Sequence, residues 1–124
     1  MSEFVEVKTA DLVGAALDWA VAKVAGVELA LVGAHPHIVV DGRLLGNYRP
    51  STSWSQGGPL IETRAVTLTP FAINFGGAPS YWLAQPWDER CLPVDGPTPL
   101  VAACRAIVAS VLGETVSVPK ELLS

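Results

Sequence analysis

Alternating hydrophobic and polar residues mark several short strands in the first half of the chain. Residues 3–8 alternate between valines and charged side chains, and residues 27–32 repeat that spacing. Asp41-Gly42 is a two-residue hairpin signal between two apolar runs. We therefore predict an amino-terminal strand, followed by a meander of three antiparallel strands between residues 27 and 46.

The segment 10–25 has the composition of an apolar helix. Thr9 supplies a hydroxyl for its amino-terminal cap, and Gly26 is a typical carboxyl-terminal stop. The remaining surface of this helix is apolar apart from Lys23 and one narrow polar stripe formed by Asp11, Gly14 and Asp18. A helix of this kind needs cover on more than one side.

A second apolar helix is predicted at residues 99–112. Thr98 is a hydroxyl cap, Pro99 is a favoured first helical residue, and Gly113 ends the pattern. A two-layer domain covers only one side of each helix, and soluble monomers seldom expose a large apolar patch. We therefore expect self-association through a helix face, as a two-fold dimer. The alternative is that alanine-rich faces remain in water.

Residues 46–59 contain no aliphatic side chain, so we predict a long irregular loop there. Loops of this length within compact domains are often functional. Pro59 would open a single helical turn at residues 60–64.

The rest of the chain predicts short extended segments. Residues 66–69 alternate before Pro70, which restricts this strand to an edge or ends it. A second hairpin is expected from residues 71–75 and 81–85, followed by a connection over 87–95. A short extended tail includes Val116 and Val118, and residues 119–123 form at most one helical turn. The whole pattern predicts one α+β domain over residues 1–124, with two main apolar helices packed on a mostly antiparallel sheet of short strands.

Composition excludes several classes of protein. Half of the residues are hydrophobic and 16% are charged, which excludes a disordered chain. The net charge of −4 disfavours a nucleic-acid binder. The most membrane-like stretch, residues 12–34, is interrupted by three charged side chains, Asp18, Lys23 and Glu28, so no membrane span is expected.

The compartment is predicted from the cysteines and the amino terminus. The two cysteines, Cys91 and Cys104, lie in unlike surroundings, and two are few for a small secreted fold. The first residues are acidic where a signal peptide would be basic. We expect a cytoplasmic protein.

No cofactor, metal or catalytic group is predicted. The chain has neither of the common glycine-rich phosphate-binding motifs nor a nucleophile elbow. His35 and His37 could face one ion, but zinc needs three or four ligands, and a third would have to come from Cys91, Asp41 or a glutamate.

The candidate binding residues lie in the segment 47–58. Arg49 would bind an anion, Trp54 would offer a stacking face, and the polar side chains would form hydrogen bonds. The residues proposed for contact with a partner protein or small ligand are Tyr48, Arg49, Ser53, Trp54 and Gln56. In the alternative interpretation, Trp54 fills the core and its polar neighbours satisfy loop backbone groups.

Three segments resemble the NinX-like proteins of phages and prophages. They are ALDWAVA at residues 16–22, YRPSTSWSQGGPLIE at residues 48–62, and the segment 96–119. The resemblance extends over about residues 9–122, and residues 66–90 depart from it most. It implies a phage or prophage origin and a role inside an infected host, and it implies no reaction.

The resulting hypothesis is a non-enzymatic phage accessory protein that self-associates and binds through the 47–58 loop. A second hypothesis is a small hydrolase or transferase acting on nucleotides, with His35, His37 or Glu62 as general base. A third is a weak nucleic-acid binder, because arginines lie close to Tyr48 and Trp54 in the sequence.

Overall fold

The computed structural model describes residues 3–73, 77, 79–88 and 90–123. Its described part is an α+β fold, as the pattern predicted. The three α-helices are α1 (Gly14–Ala25), α2 (Trp54–Thr63) and α3 (Pro99–Leu112). The strands are β1 (Phe4–Lys8), β2 (Leu29–Val32), β3 (His35–Val40), β4 (Arg43–Asn47), β5 (Thr67–Ile73), β6 (Pro79–Gln85), β7 (Val94–Gly96) and β8 (Thr115–Pro119). Two 3-10 turns cover Thr9–Asp11 and Lys120–Leu123.

The strands form three small antiparallel sheets. The first pairs β1 with β8, the second has the order β2-β3-β4, and the third has the order β5-β6-β7. The meander is confirmed, and its Asp41-Gly42 turn has positive φ at both residues, 51° and 77°. The second hairpin is confirmed as β5 and β6, but the separate strand predicted at residues 66–69 is the first part of β5. Pro70 lies on this outer strand, as its missing N–H requires. Part of the hairpin turn, residues 74–76 and 78, lies outside the described residues.

Helix α3 is the centre of the fold. Its residues from Leu100 to Val108 are all buried, Arg105 included. The helix packs on α1, on the β5-β6-β7 sheet and on α2. We predicted a dimer through a helix face because the fold was expected to cover only one side of each helix. For α3 this expectation is wrong. Its carboxyl-terminal Val111, at 55% exposure, is an exception.

The start of α1 differs from the prediction. Thr9 does not cap the helix; its hydroxyl donates to the carbonyl oxygen of Gly113 over 2.7 Å. The chain then forms the 3-10 turn before α1 begins at Gly14, where Val13 provides no side-chain cap. The Thr9 hydroxyl, which the local pattern assigned to the amino-terminal cap of α1, is therefore used in a tertiary hydrogen bond at the end of α3. The predicted stop at Gly26 is confirmed, with φ of 73°.

The predicted irregular loop 46–59 is largely wrong, because α2 begins at Trp54 and continues through Pro59. The single turn expected at residues 60–64 is the second half of this helix. Only residues 48–53 between β4 and α2 lie outside regular helices and strands; we call them the linker.

Helix α2 ends with an alanine where a glycine is favoured. Ala65 has φ of 49°. The Val66 N–H donates to Ile61 O over 3.1 Å and the Ala65 N–H to Glu62 O over 3.3 Å, the two bonds of a Schellman motif.

We expect Ala65→Gly to raise the free energy of unfolding by about 0.5–1 kcal/mol, because glycine adopts this conformation without steric cost. Urea denaturation checks it. Ala25→Gly, within α1, is the control and should destabilise by a similar amount. Destabilisation by Ala65→Gly would contradict the expectation.

Candidate functional site

The linker is tied to the rest of the protein at its first residue. The Tyr48 N–H donates to Pro36 O over 3.0 Å, which extends the pairing of β3 with β4. The Tyr48 side chain is only 7% exposed and belongs to the main hydrophobic core. The sequence suggested Tyr48 as a contact residue, but the structure places it in the core.

Gln56 forms a second tie. Its Oε1 accepts the Arg49 N–H over 2.6 Å, and its Nε2 donates to Asn47 O over 2.9 Å. The amide group thereby satisfies one backbone donor of the linker and one backbone acceptor at the end of β4. Both ends of this candidate side chain are thus occupied by hydrogen bonds that hold the linker.

A third tie is the close packing of Gly57 on the linker. A Cβ at Gly57 would overlap the carbonyl oxygen of Pro50 and would lie 2.7 Å from Leu100 Cδ2. Pro50 and Ser51 are themselves buried. The absence of a side chain at Gly57 therefore allows α2, the linker and α3 to meet at one point.

Asp18 forms the fourth tie, from α1. Its Oδ1 accepts the Ser51 N–H over 2.8 Å, and the residue is 4% exposed. Burial raises the pKa of this carboxyl to about 6, while Ser51 and the charge of Arg49 act in the opposite direction. The predicted polar stripe on α1 is therefore wrong at Asp18, which faces the linker.

Two further titratable groups surround this carboxylate. Burial, together with a smaller effect of the Asp18 charge, raises the pKa of Cys104 to about 12. Burial also raises the pKa of Tyr48 to about 12, with added effects of Cys104 and Asp18. Both groups are therefore neutral at physiological pH, and Cys104 is not an activated nucleophile.

Ser51 has a buried hydroxyl beside this carboxylate. The residue is 2% exposed, and within residues 3–73, 77, 79–88 and 90–123 its Oγ has no partner that meets hydrogen-bond geometry. A buried polar atom left in this state is uncommon in folded proteins.

Arg49 and Trp54 are the parts of the segment that face solvent. Trp54 is 56% exposed, so the interpretation that it fills the core is wrong. The Ser53 N–H donates to Arg49 O over 2.9 Å, which brings the residue before Trp54 into one turn with Arg49. The guanidinium of Arg49 has no hydrogen bond or ion pair with another described residue. The exposed residues Arg49, Thr52, Trp54 and Ser55 form what we call the Arg49–Trp54 surface.

Ser53 lies beside this surface and is half-buried. It occupies the cap position of α2 without capping the helix, and its Oγ lies 2.9 Å from Ser55 Oγ. Of the five predicted contact residues, Arg49 and Trp54 are thus exposed, and Ser53, in the same turn of chain, is half-buried. Asp18 was missed as a site residue; a carboxylate inside an otherwise apolar helical run was its signal.

Two of the predicted general bases lie next to the start of the linker, because His37 pairs with Asn47 and Pro36, between His35 and His37, accepts the Tyr48 N–H. His35 is exposed at the start of β3, and His37 Nδ1 lies 3.1 Å from His35 O. Glu62 is exposed two turns after Trp54 on α2. Across the described ranges there is no cluster of three histidine, cysteine, aspartate or glutamate residues suited to a metal.

Three cavities lie elsewhere on the protein. The largest of them, about 660 Å³, lies between the first 3-10 turn, the end of α3 and the segment before β7, and Cys91 is part of its lining. The other two measure about 490 and 420 Å³ and lie near the start of α1 and beside Trp87. None of the three includes Asp18 or the linker.

No helix among the described residues is both long enough and apolar enough to span a bilayer.

Comparison with known proteins identifies the family. No curated protein matches the chain. The family model described as bacteriophage P22, NinX matches residues 8–111. The match covers α1, α2 and most of α3, and with them the linker and Asp18. The chain therefore belongs to the bacteriophage P22 NinX family.

Proposed function

We propose that this protein is a non-enzymatic accessory protein of a phage or prophage, and that it binds a partner protein through the Arg49–Trp54 surface. The observation that carries the proposal is an indole 56% exposed beside a linker with four ties to its surroundings. Tryptophan and arginine are the residues most enriched among those that dominate binding energy at protein interfaces.

The fixed conformation of the linker is a second argument that the Arg49–Trp54 surface binds a partner. Association is weakened by the entropy lost when flexible segments become ordered. Because Asp18, Gln56 and Gly57 already fix the linker, little further ordering of its backbone is needed when a partner binds. The surface is open and lies outside the three cavities, which favours a protein partner over a small molecule.

Trp54→Ala is the first test of this proposal. We expect it to weaken partner binding at least about tenfold, while the free energy of unfolding changes by less than about 1 kcal/mol. The partner would be captured from a lysate of cells carrying the phage, identified by mass spectrometry, and titrated by calorimetry.

The matched control is Trp87→Ala, because Trp87 is 78% exposed on another part of the surface. It should leave binding unchanged. Equal affinities of the natural protein, Trp54→Ala and Arg49→Ala for the captured partner would contradict the proposal.

The enzymatic alternative has less support. A general base must reach the reacting group of a substrate. Asp18 is the one carboxylate that contacts the linker among the described residues, and it is 4% exposed and outside the three cavities. We therefore prefer a binding role to nucleotide hydrolysis or group transfer.

Self-association remains part of the proposal, through a different surface from the one first predicted. With α3 covered, the exposed apolar side chains near the tip of the β3–β4 hairpin are the better candidates for the contact: Val40, Leu44 and Leu45, at 47%, 54% and 62% exposure.

Sedimentation equilibrium tests this point. We expect a dimer for the natural protein and a monomer for Leu44→Glu/Leu45→Glu, because a buried unpaired carboxylate is costly at an interface. A monomer at every concentration of the natural protein would overturn self-association without bearing on the Arg49–Trp54 surface.

A further inference from the structure

A hydrogen bond between Asp18 and Ser51 joins α1 to the middle of the linker. Asp18 belongs to α1, and Ser51 lies 33 positions later in the middle of the linker. The acceptor is a side-chain carboxylate with 4% exposure, and the donor is a backbone N–H of a residue with 2% exposure. This hydrogen bond therefore holds the centre of the linker against the helix.

The surroundings of the carboxylate make its charge costly. Tyr48 from the linker and Cys104 from α3 have pKa values raised to about 12, in part by the charge of Asp18. Both are therefore neutral at physiological pH and offer Asp18 no opposite charge. Arg49 is the cation that acts on it from the linker, and this side chain faces solvent. The buried hydroxyl of Ser51 does not make a hydrogen bond of acceptable geometry. Ser51 and Arg49 favour the ionised form of Asp18, but the loss of hydration on burial is the larger effect and raises the pKa of this carboxyl.

We propose that Asp18 is a proton-dependent latch for the linker, and therefore for the Arg49–Trp54 surface. In the latched state, seen in the structure, a protonated Asp18 still accepts the Ser51 N–H and carries no charge into the interior. In the open state, the linker separates from α1 and water reaches the carboxylate. The ionised form favours opening, and the protonated form favours the latch.

The direction and size of the effect follow from the two environments. Burial raises the pKa of Asp18 to about 6 in the latched state, against 3.8 for a solvated aspartate. Over this interval the open state releases its proton first, so opening increases as the pH rises. Between pH 5 and pH 7.5 the opening equilibrium should rise about tenfold, and it should change little above that.

Amide hydrogen exchange of the isolated protein tests the latch without any partner. We expect the protection of the Ser51 N–H, relative to the Ala102 N–H, to fall about tenfold from pH 5 to pH 7.5. Ala102 donates to Thr98 O at the start of α3 and reports on unfolding of the core. In Asp18→Asn this ratio should not vary with pH, because the side-chain oxygen still accepts and no charge can form.

Glu28→Gln is the control for a simple change of net charge, because Glu28 is exposed. It should retain the pH dependence of the natural protein. A ratio independent of pH in the natural protein would overturn the latch, as would a Ser51 amide that always exchanges together with Ala102. Should Asp18→Asn fail to fold, the carbon NMR titration of the Asp18 carboxyl decides: a midpoint near 6 supports the latch and one near 4 rejects it.

One consequence of the latch rests on the proposed function: we expect the partner to bind the latched form more tightly than the open form. Exchange at Ser51 and binding by Trp54→Ala are separate readouts. A pH-independent Ser51 amide with lost binding in Trp54→Ala rejects the latch alone. A tenfold fall in the protection of the Ser51 N–H, with partner binding unchanged in Trp54→Ala, rejects the binding surface alone.

Discussion

Gly57→Ala is expected to lower the free energy of unfolding by about 1–3 kcal/mol, the range for overpacking a filled site. The added methyl would overlap the carbonyl oxygen of Pro50 and approach Leu100 Cδ2 to 2.7 Å. Both Pro50 and Leu100 are buried, so neither can move away into solvent. Urea denaturation of the two proteins measures the difference.

Gly58→Ala is the matched control in the same helix. A Cβ at Gly58 would meet no atom within 4 Å, and the residue has ordinary helical φ. This substitution should stabilise the protein by about 0.5–1 kcal/mol, because alanine is the better helix former. Equal effects of the two substitutions would mean that the contact among α2, the linker and α3 is absent in solution.

Asp18→Asn is expected to raise the free energy of unfolding at pH 7.5 by about 3 kcal/mol, because each pKa unit corresponds to about 1.4 kcal/mol. The pKa of Asp18 rises from 3.8 to about 6 on folding. Below both values the carboxyl is protonated in both states, so the gain vanishes. Between them the unfolded chain loses its proton first, so the stability of the natural protein falls as the pH rises.

Thermal or urea denaturation at pH 4 and pH 7.5 checks this dependence. The exposed Glu28→Gln should show no comparable gain at either pH. A loss of stability in Asp18→Asn at neutral pH would show that the ionised carboxylate contributes favourable energy to the linker, contrary to our interpretation of the buried site.

The elements that the sequence predicted well carry their own local signals. Thr98 accepts the Val101 N–H over 3.1 Å and Pro99 takes the first helical position, so the start of α3 depends on adjacent residues. The Asp41-Gly42 turn and the stop at Gly26 depend on backbone conformations that few residue types favour. These features form with little help from the rest of the fold.

Helix α2 could not be predicted because its local signals favour a loop. Two glycines and a proline within residues 54–63 disfavour a helix. Packing of Gly57 against Pro50 and Leu100 overrides that preference, and the contact depends on residues distant in the sequence. The predicted irregular backbone of this segment is therefore wrong, and its binding role stays a prediction.

The candidate site was only partly predictable for the same reason. Exposed Trp54 and Arg49 were recognised as residue types suited to binding. The roles of Tyr48 and Gln56 depend on Pro36, Arg49 and Asn47 as backbone partners. Asp18 lies near the linker because Tyr48 and α1 belong to the same hydrophobic core. Helical periodicity alone assigned it to solvent.

Photo-crosslinking from position 54 tests the central claim most directly. A photoreactive side chain would replace Trp54 in one variant and the exposed Trp87 in a second, and both would be irradiated in cells carrying the phage. We expect one protein to crosslink at position 54 and not at position 87. The same products from both positions, or none from position 54, would contradict a partner-binding role for the Arg49–Trp54 surface.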